Sequence, residues 1–191
     1  MASDEELMRA VQHGDLSAFE QIVLRHQAVA WNTACRFLND PAEAEDVAQD
    51  AFLRVLDAAP RYQPTARFRT YLLQIVMRLC LDRVRKKRPL YTDTLPDAPA
   101  SGASPSGGLL DRERNQMVRQ ALDKLSAQQR LALILRYDEE LSYQEIAAVL
   151  QVTPKAVERL LARGRAALGA LLSDQREELF NREGVFRRSS V

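Results

Sequence analysis

Two helix-start signals stand only eleven residues apart near the C-terminal end of this chain. In Ser142-Tyr143-Gln144-Glu145 the serine hydroxyl can take an orphan amide while the glutamate reaches back to the N–H of residue 142, the reciprocal arrangement of a capping box. In Thr153-Pro154 a capping hydroxyl precedes a ring whose fixed φ suits the first helical position. The interval holds one short helix, through Leu150, and a turn at Gln151-Val152. That spacing is the pattern of a helix-turn-helix, in which a first helix braces a second whose N-terminal residues enter the major groove of DNA. Ala147 is small where the helices would cross, and Ile146, Leu150, Val152, Val157 and Leu160 fall where their shared core belongs. The caps Ser142 and Thr153, with the amides behind them, suit phosphates. Lys155, Arg159 and Arg163 share one stripe beside Ala156 and Glu158, and so can reach phosphates or base edges. A helical hairpin packed only on itself, with a solvated basic face, would show the same residues. The turn calls for a left-handed residue, which at Gln151 costs about 1 kcal/mol.

The rest of the chain also reads as helix, because Ala, Leu, Arg, Glu and Gln dominate and β-branched residues are few. We expect an all-α protein. Apolar residues recur at helical spacing in Leu7, Met8 and Val11, then in Phe19, Ile22, Val23, His26 and Ala30, with a break near Gly14-Asp15 and an end at Asn39. Asp40-Pro41-Ala42-Glu43 opens a third helix to about Ala58, a loop spans Pro60 to Ala66, and a basic helix runs from about Arg67 to Lys87. Pro89 to Gly108 holds four prolines and three glycines with no apolar period, and reads as a flexible linker between two small domains. Helix resumes from Leu109 to Leu125, and Ser126-Ala127-Gln128-Gln129 caps another that ends near Tyr137-Asp138. Residues 1–88, 89–108, 109–173 and 174–191 are thus expected to be a first domain, a linker, a second domain and a tail that frays.

The net charge of +1 hides a polarity between segments. From Asp4 to Asp57 there are eleven acids against four arginines. From Arg61 to Arg88 there are nine cations against Asp82 alone. One domain with an acidic and a basic part suggests two different partners. The basic segment interleaves its cations with Tyr62, Phe68 and Tyr71, a combination that suits melted or single-stranded DNA. Phe68 and Tyr71 fall among apolar helix positions and read as core, whereas Tyr62, in the loop, is freer.

Enzymatic readings find little support. There is no Gly-x-Ser-x-Gly, no Gly-rich phosphate loop and no His-Glu-x-x-His, and neither His13 nor His26 has partners at metal-ligand spacing. No cofactor is expected. Cys35 and Cys80 read as buried thiols of a reducing compartment. No apolar run approaches a bilayer span and the start is acidic, so a cytoplasmic location without membrane insertion is expected.

Taken together, the motifs resemble a known family. Ala44-Glu45-Asp46-Val47-Ala48-Gln49-Asp50-Ala51-Phe52-Leu53-Arg54-Val55 is similar to region 2.2 of extracytoplasmic-function (group IV) sigma factors of bacterial RNA polymerase. Phe68-Arg69-Thr70-Tyr71-Leu72 with Leu79-Cys80-Leu81-Asp82 resembles regions 2.3 and 2.4, and Leu133 to Tyr137, Leu141 to Ala147 and the final helix resemble region 4. The resemblance implies that Asp46, Gln49, Asp50, Phe52 and Leu53 meet the clamp helices of the polymerase β′ subunit and that region 4 meets the β flap. It implies that the minus-10 element is bound by the loop and basic helix, through Arg61, Tyr62, Arg67, Arg69, Arg78, Arg83, Arg85 and Lys86. The minus-35 element would be read by Ser142, Thr153, Lys155, Ala156, Glu158, Arg159 and Arg163, the linker would thread the polymerase near its active site, and an anti-sigma factor would be a partner. Tyr71 stands where tryptophan is common in the family, Arg78 where asparagine is, Lys155 where glycine is, and Glu158 and Leu160 where basic residues are. Two other readings stay open: a stand-alone DNA-binding regulator using only the helix-turn-helix, and a helical adaptor acting through protein contacts.

Overall fold

The computed structural model describes residues 2–87 and 117–186, with side chains for 2–86 and 117–173. Among these residues every regular element is helical. The N-terminal part consists of α1 (Asp4–Gln12), α2 (Leu16–Leu38), α3 (Pro41–Ala58) and α4 (Phe68–Lys87), with one 3-10 turn at Ala59–Arg61. The C-terminal part holds α5 (residues 117–123), α6 (Ala127–Tyr137), α7 (Tyr143–Leu150) and α8 (Pro154–Phe186).

The ends of these helices are set by the residues that signalled them. Asp40 accepts the amides of Ala42 and Glu43 at 3.0 and 3.2 Å, with Pro41 in the first turn of α3. Capping boxes close at Ser126/Gln129 and at Ser142/Glu145, and a third at Ser3/Glu6 starts α1. Gly14 sits at φ 89°, where a Cβ would strain the link from α1 to α2, and Asn39 ends α2 in the left-handed region at φ 54°.

In the N-terminal domain Met8, Ile22, Phe37, Val47, Val55, Phe68, Leu72, Leu73 and Met77 are all but fully enclosed, so all four helices contribute to one core. Each such side chain contributes roughly 1.5–3 kcal/mol relative to exposure. His26 is buried beside Phe68, ring centroids 5.0 Å apart, and its Nε2 donates to Asp4 at 2.8 Å. Asp4 also takes Arg25 at 3.0 Å, which fastens α1 to α2. The single tryptophan, Trp31 on α2, packs half-buried against this core. Cys80 is fully enclosed and Cys35 half-buried, both as free thiols; burial pushes the Cys80 thiol up to about 12.

In the C-terminal domain Leu131, Ile134, Leu135, Ile146 and Leu161 form the centre where α6, α7 and α8 meet. Gly164 allows α8 to approach α6, since a Cβ placed on it would lie 3.3 Å from Leu133. The two domains also touch: α4 lies against α7 and α2 against α6.

Three expectations need comment. The linker, 89–108, lies outside the described residues, as does the first part of the helix expected from Leu109. The tail expected to fray from residue 174 instead continues α8 to Phe186; the sequence there holds three Glu and two Arg and no proline, which keeps favourable helix propensity. Residues 187–191 lie outside the described set.

Candidate nucleic-acid interface and acidic helix face

The helix-turn-helix is present as its spacing required. Ser142 caps α7 by accepting the Glu145 amide at 3.2 Å, and its hydroxyl donates to the Glu145 carboxylate at 2.7 Å. The bonds that the Ser142 hydroxyl and backbone N–H donate to it hold the Glu145 carboxyl below its ordinary range. Gln151 ends α7 in the left-handed region, φ 55° and ψ 45°, and Thr153 Oγ1 accepts the Ala156 amide at 3.2 Å to start α8. Ala147 is buried at the crossing, and Val157 and Leu161 turn inward. Lys155, Glu158, Arg159 and Arg163 are exposed on α8, while Ala156 is half-buried, so the polar residues of the set occupy the free side of the helix. Ser142 and Thr153 are exposed at the two helix starts. A shallow depression between α6 and α8 is lined by Gln128, Val152, Ala156, Leu160 and the two arginines 159 and 163.

On α3 the spacing of Asp46, Gln49, Asp50 and Leu53 places them on one outward face. The Asp46 and Asp50 side chains retain 63% and 49% of their exposure, and Leu53 is 59% exposed, an apolar side chain with no cover. Gln49 is exposed and donates to Glu45 at 3.2 Å. Phe52 differs: it is 7% exposed and belongs to the core, because it falls on the inward side with Ala48 and Val55.

The basic segment divides more sharply than its composition suggested. Arg61, Arg67, Arg78, Arg85 and Lys86 are exposed. Arg83 is not a free cation of that set. Packing of α4 on α3 brings its guanidinium to 3.4 Å from Asp46 and 3.3 Å from Asp50, so it bridges to the acidic face. Tyr62 corrects the sequence reading as well: it is 8% exposed and packs with Phe68 and Tyr71, centroids 6.4 and 5.3 Å away, not free in the loop. Its ring turns under the loop onto the start of α4, while Arg61 and Gln63 on either side stay exposed. Burial pushes the Tyr62 and Tyr71 phenols up.

Arg69 makes the least expected contact. Its guanidinium lies 2.6 Å from the carboxylate of Glu139, in the turn between α6 and α7. Glu139 is 4% exposed, and Thr33 and Arg36 of α2 also face it. Arg130 of α6 is similarly placed: it pairs with Asp123 at 2.7 Å, donates to the Phe37 carbonyl at 2.9 Å and lies over the Phe37 ring. Sequence reasoning missed Glu139 and Arg130, and nothing local could have found them. Their partners across the domain boundary lie 106, 70 and 93 residues away in the chain.

Among the described residues no cluster fit to hold a metal ion occurs, and no helix is long and apolar enough to cross a membrane. A helix-turn-helix with an exposed cationic stripe, beside a helical domain bearing separate acidic and basic faces, defines a bipartite nucleic-acid-binding factor. Residues 22–89 match the family described as Sigma-70 region 2, and residues 115–168 match Sigma-70, region 4. The ECF RNA polymerase sigma factor SigW of Bacillus subtilis is 32% identical over 178 residues, covering 87% of this chain and 95% of that protein. The RNA polymerase sigma-H factor of Pseudomonas aeruginosa is 33% identical over 180 residues, covering 88% and 93%. Among solved structures, CnrH in complex with the cytosolic domain of CnrY is similar at a TM-score of 0.71 and 28% identity, covering 91% of this chain and 99% of that one. The chain belongs to the extracytoplasmic-function sigma factors, non-enzymatic initiation factors that bind core RNA polymerase and direct it to promoters.

Proposed function

We propose that the work of this sigma factor is divided among the faces described above, within a first domain of residues 1–88 and a second of 109–173 joined by a linker at 89–108. The outward face of α3, through Asp46, Gln49, Asp50 and Leu53, meets the basic clamp helices of the β′ subunit. Phe52 supports that face from the core side. The second domain meets the β flap. Arg61, Arg67, Arg69, Arg78, Arg85 and Lys86 meet the minus-10 element, with Tyr62 stiffening the loop from beneath and Arg83 orienting Asp46 and Asp50. At the start of α8, Lys155, Ala156, Glu158, Arg159 and Arg163 face the minus-35 major groove, and the caps Ser142 and Thr153 take backbone phosphates.

The observation that carries this reading is the separation of charge on one small domain. Exposed acids on α3 and exposed cations along α4 and its preceding loop offer two surfaces of opposite sign, as a bridge between polymerase and DNA requires. Melting follows from binding: unstacking a base costs a few kcal/mol, which phosphate and pocket contacts offset. The polymerase supplies the bond-forming chemistry. We place the factor in the cytoplasm, with an anti-sigma factor as partner; the likeness to CnrH, solved with the cytosolic domain of CnrY, supports such a partner.

In-vitro transcription with purified core polymerase tests the reading. Run-off product from a cognate promoter that depends on adding this chain is expected. Specific duplex binding without core, together with no product on any genomic template, would leave the stand-alone regulator as the better account.

A further inference from the structure

We propose that the free chain holds itself closed through Glu139, which occupies Arg69 and so withholds it from DNA until the two domains part. The inference rests on the assignment of Arg69 to promoter contact.

Glu139 is the only carboxylate among the described residues in the buried class, and the side chains that hydrogen-bond or pair with it, Arg69, Thr33 and Arg36, come from the other domain. Its Oε2 accepts from Arg69 at 2.6 Å, its Oε1 lies 2.7 Å from the Thr33 hydroxyl, and Arg36 stands 3.8 Å away. The Thr33 hydroxyl is equally near the Val29 carbonyl, at 2.7 Å, and its single proton favours the ionised acceptor. A carboxylate taken out of water is tolerated only when paired and hydrogen-bonded. In a chain whose domains have separated, Glu139 would be solvated and Arg69 freed, so this carboxylate is satisfied in two ways and the closed state is one of them.

The flanking residues repeat the pattern. Asp138 pairs with Arg36 at 3.4 Å and Glu145 faces Arg67 at 4.0 Å, while Glu140, with φ 55°, turns the chain away directly after the latch. In each of these cross-domain ion pairs the cation belongs to the first domain and the acid to the second. The turn between α6 and α7 and the first turn of α7 therefore present carboxylates to Arg69 and Arg67, which DNA would meet with phosphates, and the two cannot hold Arg69 at once. Arg130, donating to the Phe37 carbonyl at the C-terminal end of α2, adds a further tie across the same boundary.

The test uses the full chain. A factor open about a tenth of the time binds about tenfold more weakly than one always open. Glu139→Gln should accordingly raise the affinity of the free chain for a single-stranded minus-10-length oligonucleotide by about that factor. Glu140→Gln, which removes the same charge from an exposed neighbour, should leave it within twofold, roughly the effect of one remote charge at moderate salt. Small-angle scattering should show Glu139→Arg expanded relative to the parent, and the swap Glu139→Arg with Arg69→Glu compact again. A folded Glu139→Arg chain with the parent's radius of gyration overturns the proposal, and so does expansion of that chain with no affinity gain in Glu139→Gln. Core-dependent transcription measured in parallel separates the cases: product without expansion sinks the latch alone, whereas expansion without product sinks the promoter reading.

Discussion

Gly164 sets how closely α8 lies against α6, and graded substitution there should change the sign of the stability effect. A Cβ at this position meets Leu133 Cγ and Cδ1 at 3.3 Å and Gln129 Cβ at 3.6 Å. For Gly164→Ala the helix gains about 1 kcal/mol from propensity. The tight contact gives back a few tenths as the Leu133 side chain shifts, leaving a net gain of about 0.5 kcal/mol. Gly164→Ile carries two more heavy atoms on the Cβ itself. Overpacking then reaches the upper part of the usual range of about 1–3 kcal/mol and outweighs the smaller helix gain, for a net loss of about 2 kcal/mol. For a domain of this size 1 kcal/mol moves the midpoint by about 4–8 °C, so alanine should raise the C-terminal melting step by a few degrees and isoleucine lower it by about 10 °C. Circular dichroism at increasing temperature reads both. Adding Leu133→Ala to Gly164→Ile should cost less than the two changes summed by about 1 kcal/mol or more, since the neighbours share one space. Because α8 carries Lys155, Arg159 and Arg163, isoleucine should also reduce transcription from a minus-35-dependent promoter at temperatures where the domain is still folded. If Gly164→Ile proved as stable as Gly164→Ala, the close approach of the two helices, and the argument built on it, would be wrong.

Three further outcomes are expected. Asp46→Lys with Asp50→Lys should weaken association with core polymerase by an order of magnitude or more, the scale of reversing two charges at a complementary interface, while circular dichroism still reports a helical chain. Arg159→Ala should weaken the dependence of initiation on the minus-35 sequence, which run-off transcription from promoters mutated in that element would reveal; an unaltered promoter profile removes the residue from the reading set. Cys80, fully enclosed and with its thiol pushed by burial from 9.0 up to about 12, should resist an aromatic disulfide reagent at pH 8 until the chain is unfolded, and half-buried Cys35 should react first. The same shift makes stability fall as pH rises from about 9, where the unfolded thiol ionises and the folded one does not, with the loss complete above about 12.

What could be read from the sequence was what is local. Asp40-Pro41, Ser126 and Ser142 each name a helix start within a few residues, and each became one, because capping is satisfied inside a single turn. Gln151 was legible as a left-handed position for the same reason. Tyr62 and Arg83 were misjudged because their surroundings are tertiary: one ring is captured by Phe68 and Tyr71, and one guanidinium by acids more than thirty residues earlier. Glu139 was invisible for a stronger reason. An acidic turn between helices reads as solvated surface until a second domain covers it.

The burial of Tyr62 also bears on the entropy of promoter capture. Its carbonyl accepts from Gln12 Nε2 at 2.7 Å and its ring is held in the aromatic cluster, while Phe68 fixes the other end of the loop at the start of α4. Only residues 63–67 are left to settle on a ligand, and Thr65 already donates to the Gln63 carbonyl at 2.8 Å. Ordering a free backbone costs roughly 1–2 kcal/mol per residue. An arch pinned at both ends has forfeited much of that freedom during folding, so on the proposed assignment of this loop to the minus-10 element more of the free energy of each phosphate contact would be left for unstacking bases.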